Sequence, residues 1–139
     1  MGIPLSRGMK VSTITFWSGG TGAGTPTNQW FTLRDSARVL LGVTADDTTT
    51  AWGTNVAKTL TLASPVVIPA DGFYYIGIMV KATTTPTMTG IASISTGPRA
   101  ANPIPAGTTA DTGLTDPASA PSTAGALTAA AAHFYGSVV

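Results

Sequence analysis

Apolar residues in this chain recur at every second position in short runs, each closed by Gly, Pro, Asp or Asn. That spacing places one side of a strand on a core and the other in solvent, and it predicts an all-β fold. In residues 10–17, Ser12, Ile14 and Phe16 alternate with Val11, Thr13, Thr15 and Trp17, so Ile14 and Phe16 point inward and the threonines outward. In 29–34, Phe31 and Leu33 share one face, and Trp30, Thr32 and Arg34 the other. Val39, Leu41 and Val43 mark a third strand, and 58–62 a fourth with Leu60 and Leu62 inward. Pro69-Ala70-Asp71-Gly72 is a turn signal, since proline presets φ and glycine accepts positive φ. Residues 73–80 are apolar on both faces, as in a strand at the middle of a sheet. Residues 88–94 and 133–139 read as the last strands. Helical readings are disfavoured by run length and β-branching, apart from one turn within 126–132. The expected core is Ile14, Phe16, Phe31, Leu33, Leu41, Leu60, Leu62, Ile76 and Ile78.

A chain of 139 residues suits one domain, here 1–139. The expected architecture is a single antiparallel β-sandwich, jelly-roll or Ig-like, of roughly seven or eight strands. Charged residues are 9% of the chain, Cys and Glu are absent, and there is one His. About half of the chain is Thr, Ala, Gly and Ser. This composition leaves no thiolate nucleophile, no Cys-ligated zinc and no Glu general base. We therefore expect no enzyme activity, no catalytic residues, no cofactor and no metal. Asp46-Asp47 is the one paired carboxylate, and adjacent strand residues point to opposite faces. His133 lacks a nucleophile elbow or other partner motif and reads as a structural or surface residue. A net charge of +1 argues against nucleic-acid or acidic-lipid partners. No segment approaches the roughly 18 apolar residues of a membrane span.

Residues 97–125 differ from the rest, with five prolines among small residues and two isolated hydrophobes, Ile104 and Leu114. A segment like this, placed before the last strands, reads as a long irregular loop or as an arm lying on a neighbouring subunit. Trp17, Trp30 and Trp52 lie at or beside strand ends. With Ile104 and Leu114 they are the candidate contacts to a partner or a glycan, although core or subunit packing is the commoner use of tryptophan.

Several stretches carry a family resemblance. They are Thr25-Pro26-Thr27-Asn28-Gln29-Trp30-Phe31-Thr32-Leu33-Arg34-Asp35, then Thr50-Ala51-Trp52, then the run from Val67 through Pro69-Ala70-Asp71-Gly72 to Val80, and the closing Ala126-Leu127-Thr128-Ala129. In order and spacing they resemble β-sandwich domains of exterior virion proteins of tailed bacteriophages, especially those of actinobacteria. The resemblance covers most of the chain from about Pro4 and lies in the series rather than in one motif. It implies a non-enzymatic structural protein on the particle exterior, made in the host cytoplasm. Relatives commonly carry a long body before the strand equivalent to 11–17, whereas this chain starts almost at that strand. That start fits an excised domain or a free-standing virion protein, and the latter is expected to be a capsid decoration, minor capsid or head-fibre protein. The implied partners are further copies of the chain, with a trimer as first expectation, and virion proteins such as the major capsid protein. The alternative is a minor tail protein or tail-tip module that binds a host receptor or cell-surface glycan.

Overall fold

The computed structural model describes residues 1–92, 107–109, 111–129 and 132–139. The strands are β1 (Gly2–Leu5), β2 (Lys10–Trp17), β3 (Gly24–Arg34), β4 (Leu40–Val43), β5 (Ala57–Val67), β6 (Gly72–Thr84), β7 (Gly90–Ala92), β8 (Gly107–Thr108), β9 (Thr128–Ala129), β10 (Ala132–Phe134) and β11 (Gly136–Val138). Seven of them form two antiparallel sheets, four-stranded β1-β6-β3-β4 and three-stranded β11-β2-β5. These two sheets pack against each other as an all-β sandwich. The remaining four make the ribbons β10-β7 and β8-β9. Among the described residues there is no α-helix; the helical turn expected within 126–132 meets the extended β9 at Thr128–Ala129, and residues 130–131 lie outside the described part.

The alternating runs place the core between the sheets. Ile14 and Phe16 of β2 face Phe31 and Leu33 of β3 and Ile76 of β6, all fully buried. Phe16 meets Phe31 edge to face at 5.0 Å between ring centroids, and Phe31 meets Trp52 at 5.9 Å. Leu62 is buried, while Leu41, Leu60 and Ile78 are partly buried against the same cluster. β6 does lie inside its sheet, between β1 and β3. Its register with β3 sets Leu33 opposite Ile76, Thr32 opposite Gly77 and Trp30 opposite Met79.

Three details depart from simple alternation. Val11, expected on the outer face, is buried, because the β2–β5 register shifts between Val11 and Thr13. One extra residue there turns the side chain inward. Val39 is exposed, since β4 begins only at Leu40 and the register slips between Leu33 and Arg34. The strand expected at 88–94 is β7 up to Ala92, and residues 93–94 lie outside the described part.

The sandwich closes along both long edges. On one side Thr44 bridges Leu62, which joins β4 to β5. On the other, Gly136 of β11 sits so near the core that a Cβ would fall 2.9 Å from Ile76 Cδ1 and 3.1 Å from Phe16 Cε1. A larger residue there would force Ile76 Cδ1 and the Phe16 ring to shift. The Met1 amino group donates to Ile76 O at 2.6 Å. Burial pushes its pKa down to about 6, so the amine is largely neutral at pH 7.

Candidate functional site

The tryptophans expected as outward contacts have different fates. Trp52 is 1% exposed and lies in the core, with Nε1 donating to Val56 O at 3.1 Å. It sits in a polar connection whose folding explains how a lone tryptophan gets inside. Asp46 accepts from Gln29 N and Asn28 Nδ2, and Asp47 Oδ1 accepts from Thr49 N and Thr50 N. Asp47 Oδ2 pairs with Lys58 Nζ at 2.8 Å, the one ion pair among the described residues. Lys58 is buried, and its ammonium lies 5.9 Å from the Trp52 ring centroid. The two aspartates are thus spent on separate partners that hold the loop over the core.

Trp30 is 2% exposed but faces the other way, on the outer side of the four-stranded sheet. Residues 111–127 cover that side. Arg34 Nη1 donates to Arg38 O and Pro121 O, Leu40 N to Ser122 O, and Arg38 Nε to Ala124 O, while Val39 bridges Thr123. Within this cover Asp116 caps the 3-10 turn Pro117–Ser119, and Asp111 Oδ1 accepts from Gly125 N. The described part of the 97–125 segment therefore lies on the chain's own sheet. Leu114 lines a cavity beneath it, and Ile104 lies outside the described residues. Trp17 is partly buried at the end of β2.

The cavity has a volume of about 310 Å³. Its floor is Trp30, Thr32, Arg34, Tyr75, Gly77 and Met79, and its roof includes Asp111, Leu114, Pro121 and Leu127. Gly77 keeps the floor open, since a Cβ there would fall 2.5 Å from Thr32 Oγ1. Burial pushes the Arg34 pKa below its usual value, and the nearby Asp111 charge opposes that. Among the described residues Trp30 Nε1 is buried without a hydrogen-bond partner. An orphan donor of this kind costs about 1–3 kcal/mol, so Trp30→Phe is expected to leave the unfolding free energy unchanged or raise it. Chemical denaturation followed by circular dichroism checks this; a loss above about 2 kcal/mol would show that the indole N–H has a partner.

The three-stranded sheet is different, because among the described residues its outer side is partly or fully exposed at Thr13, Thr15, Thr59, Thr61 and Ser137. Thr13 lies opposite Thr61, and Thr15 stands between Thr59 and Ser137. The Thr15 and Thr59 hydroxyls are 2.7 Å apart. Val67 and Val139 extend this face and are 62% and 78% exposed. Its strands carry two charged residues, the exposed Lys10 and the buried Lys58. Comparison of the chain with protein-family models, curated proteins and solved structures returned no match.

Sequence reasoning placed Arg34 on a strand face but missed it as a site residue. The signal that could have found it is its place on the same strand face as Trp30 and Thr32. A face with two large side chains needs a cover.

Proposed function

We propose that the chain is a non-enzymatic structural protein of the bacteriophage virion exterior, a capsid decoration or minor capsid protein that binds neighbouring subunits. The carrying observation is that, among the described residues, the outer face of the β11-β2-β5 sheet is open and nearly uncharged, with exposed Val67 and Val139 at one end. Interface cores are depleted of charge, and threonine methyl groups desolvate at low cost on a pleated surface. Copies of the chain and the major capsid protein are the partners in this reading, with many weak contacts multiplied by avidity. The burial of Trp30 and Trp52 supports it too, because a sugar-stacking platform needs open rings. Trp17 stays partly open beside Ser18 and Gly19 and carries the alternative, a tail module that touches a host glycan.

Thr59 and Thr61 are exposed, so Thr59→Lys and Thr61→Lys are expected to change stability by less than about 0.5 kcal/mol. Each is expected to weaken binding to particles stripped of the protein by about tenfold or more, because a charge is then buried unpaired at the contact. Co-sedimentation with such particles measures this. Unchanged binding by both variants would remove the face from the account.

A further inference from the structure

Arg34 is a charge held in the interior with no ion pair among the described residues. Its residue is 7% exposed, and a buried charge is costly unless it is paired and hydrogen-bonded. Among the described residues both of its hydrogen bonds leave from Nη1, toward the neutral carbonyls of Arg38 and Pro121. Asp111 faces the same cavity, yet no ion pair joins it to Arg34 within 4.0 Å, and its Oδ1 already accepts from Gly125 N. Among the described residues the Nε and Nη2 donors, the edge that grips a carboxylate in a two-bonded fork, are left for another acceptor.

We propose that the cavity beneath residues 111–127 binds a small organic carboxylate, with its carboxylate on Arg34 and its apolar body against Trp30, Met79, Leu114 and Leu127. The volume of about 310 Å³ lies at the lower end of small-molecule sites, which are mainly apolar with a few placed polar groups. Charge balance selects a monoanion over a phosphate ester. Among the described residues Arg34 and Arg38 line the cavity against Asp111, leaving one net positive charge, and Arg38 Nε is engaged by Ala124 O. Met1 also lines it, with its amine turned to Ile76 O. The Thr32 hydroxyl, beside the gap left by Gly77, lies on the path between Trp30 and Arg34.

The test is titration of the isotope-labelled full chain with benzoate, 2-naphthoate and octanoate, each beside its primary amide, followed by proton–nitrogen correlation spectra. At least one carboxylate is expected to saturate and to shift the Trp30 indole and Arg34 Nε–H signals. Its amide should bind about tenfold more weakly or worse. Arg34→Gln is expected to abolish binding. Because that change also disturbs the anchor to Pro121, Leu114→Trp, which fills the cavity and keeps Arg34, must abolish binding while the chain stays folded. The proposal is overturned if no carboxylate shifts these signals, if the amides match the acids, or if binding survives Leu114→Trp.

Discussion

Phe31→Ala is expected to lower the unfolding free energy by about 3–5 kcal/mol, measured by denaturant titration. Domains of this size are held by about 5–15 kcal/mol in all, so a large part of the fold's stability rests on this ring. Phe31 is fully buried and touches both Phe16 and Trp52, so it links the two sheets to the connection between β4 and β5. Its removal leaves a cavity bounded by β-sheet backbone on two sides, which cannot collapse freely. Trp52→Ala is expected to fall in the same range, and the double variant to lose less than the sum because the rings share contacts. A loss below about 1 kcal/mol for Phe31→Ala would mean that the sheets are not packed through this cluster.

Lys58→Met is expected to cost about 3 kcal/mol, although it keeps the apolar stem over Trp52. Lys58 Nζ bonds Asp47 Oδ2 and Thr50 O, and removing it strands a carboxylate in a site with little access to water. The pair also sets a pH dependence. Burial alone would raise the Asp47 pKa. The hydrogen bond from Lys58, those from Thr50 N and Thr49 N, and the Lys58 charge together outweigh it and hold the carboxyl below its ordinary value. A carboxyl whose folded pKa is depressed adds stability above its unfolded pKa, about 3.9, and that stability is lost as pH falls through the folded value. Unfolding free energies measured from pH 7 into that acid range should therefore decline, and the decline should be shallower in Lys58→Met. Parallel curves for the two proteins would show that the pair contributes nothing.

The sandwich was legible because its strands carry the period of two. Ile14 and Phe16, Phe31 and Leu33, and the doubly apolar β6 each announce a strand and its inner face. Other features have no periodic trace. The bulge that turns Val11 inward is a single-residue insertion in pairing, and nothing local in Lys10-Val11-Ser12 encodes it. Trp52 is an isolated apolar residue in a polar connection and Ile68 lies just past the end of β5, and their burial depends on loops held by Asp46, Asp47 and the turn before β6. Lys58 sits on an inward position that only a loop aspartate makes tolerable. The candidate cavity was half legible. Trp30, Thr32 and Arg34 were placed together on one face, but the cover comes from 111–127, some eighty residues later, with no pattern of its own. Leu114 was singled out as an anchor on a neighbour, and its described position is under that cover.

The open threonine face and the proposed virion role meet in one measurement, a reconstruction of purified particles of a phage whose genome carries this sequence. The account predicts density for the sandwich on the particle exterior, in repeated copies, with the Thr13, Thr15, Thr59 and Thr61 face against a neighbouring subunit. Particles that lack the chain, or that carry it with this face turned wholly to solvent, would contradict it.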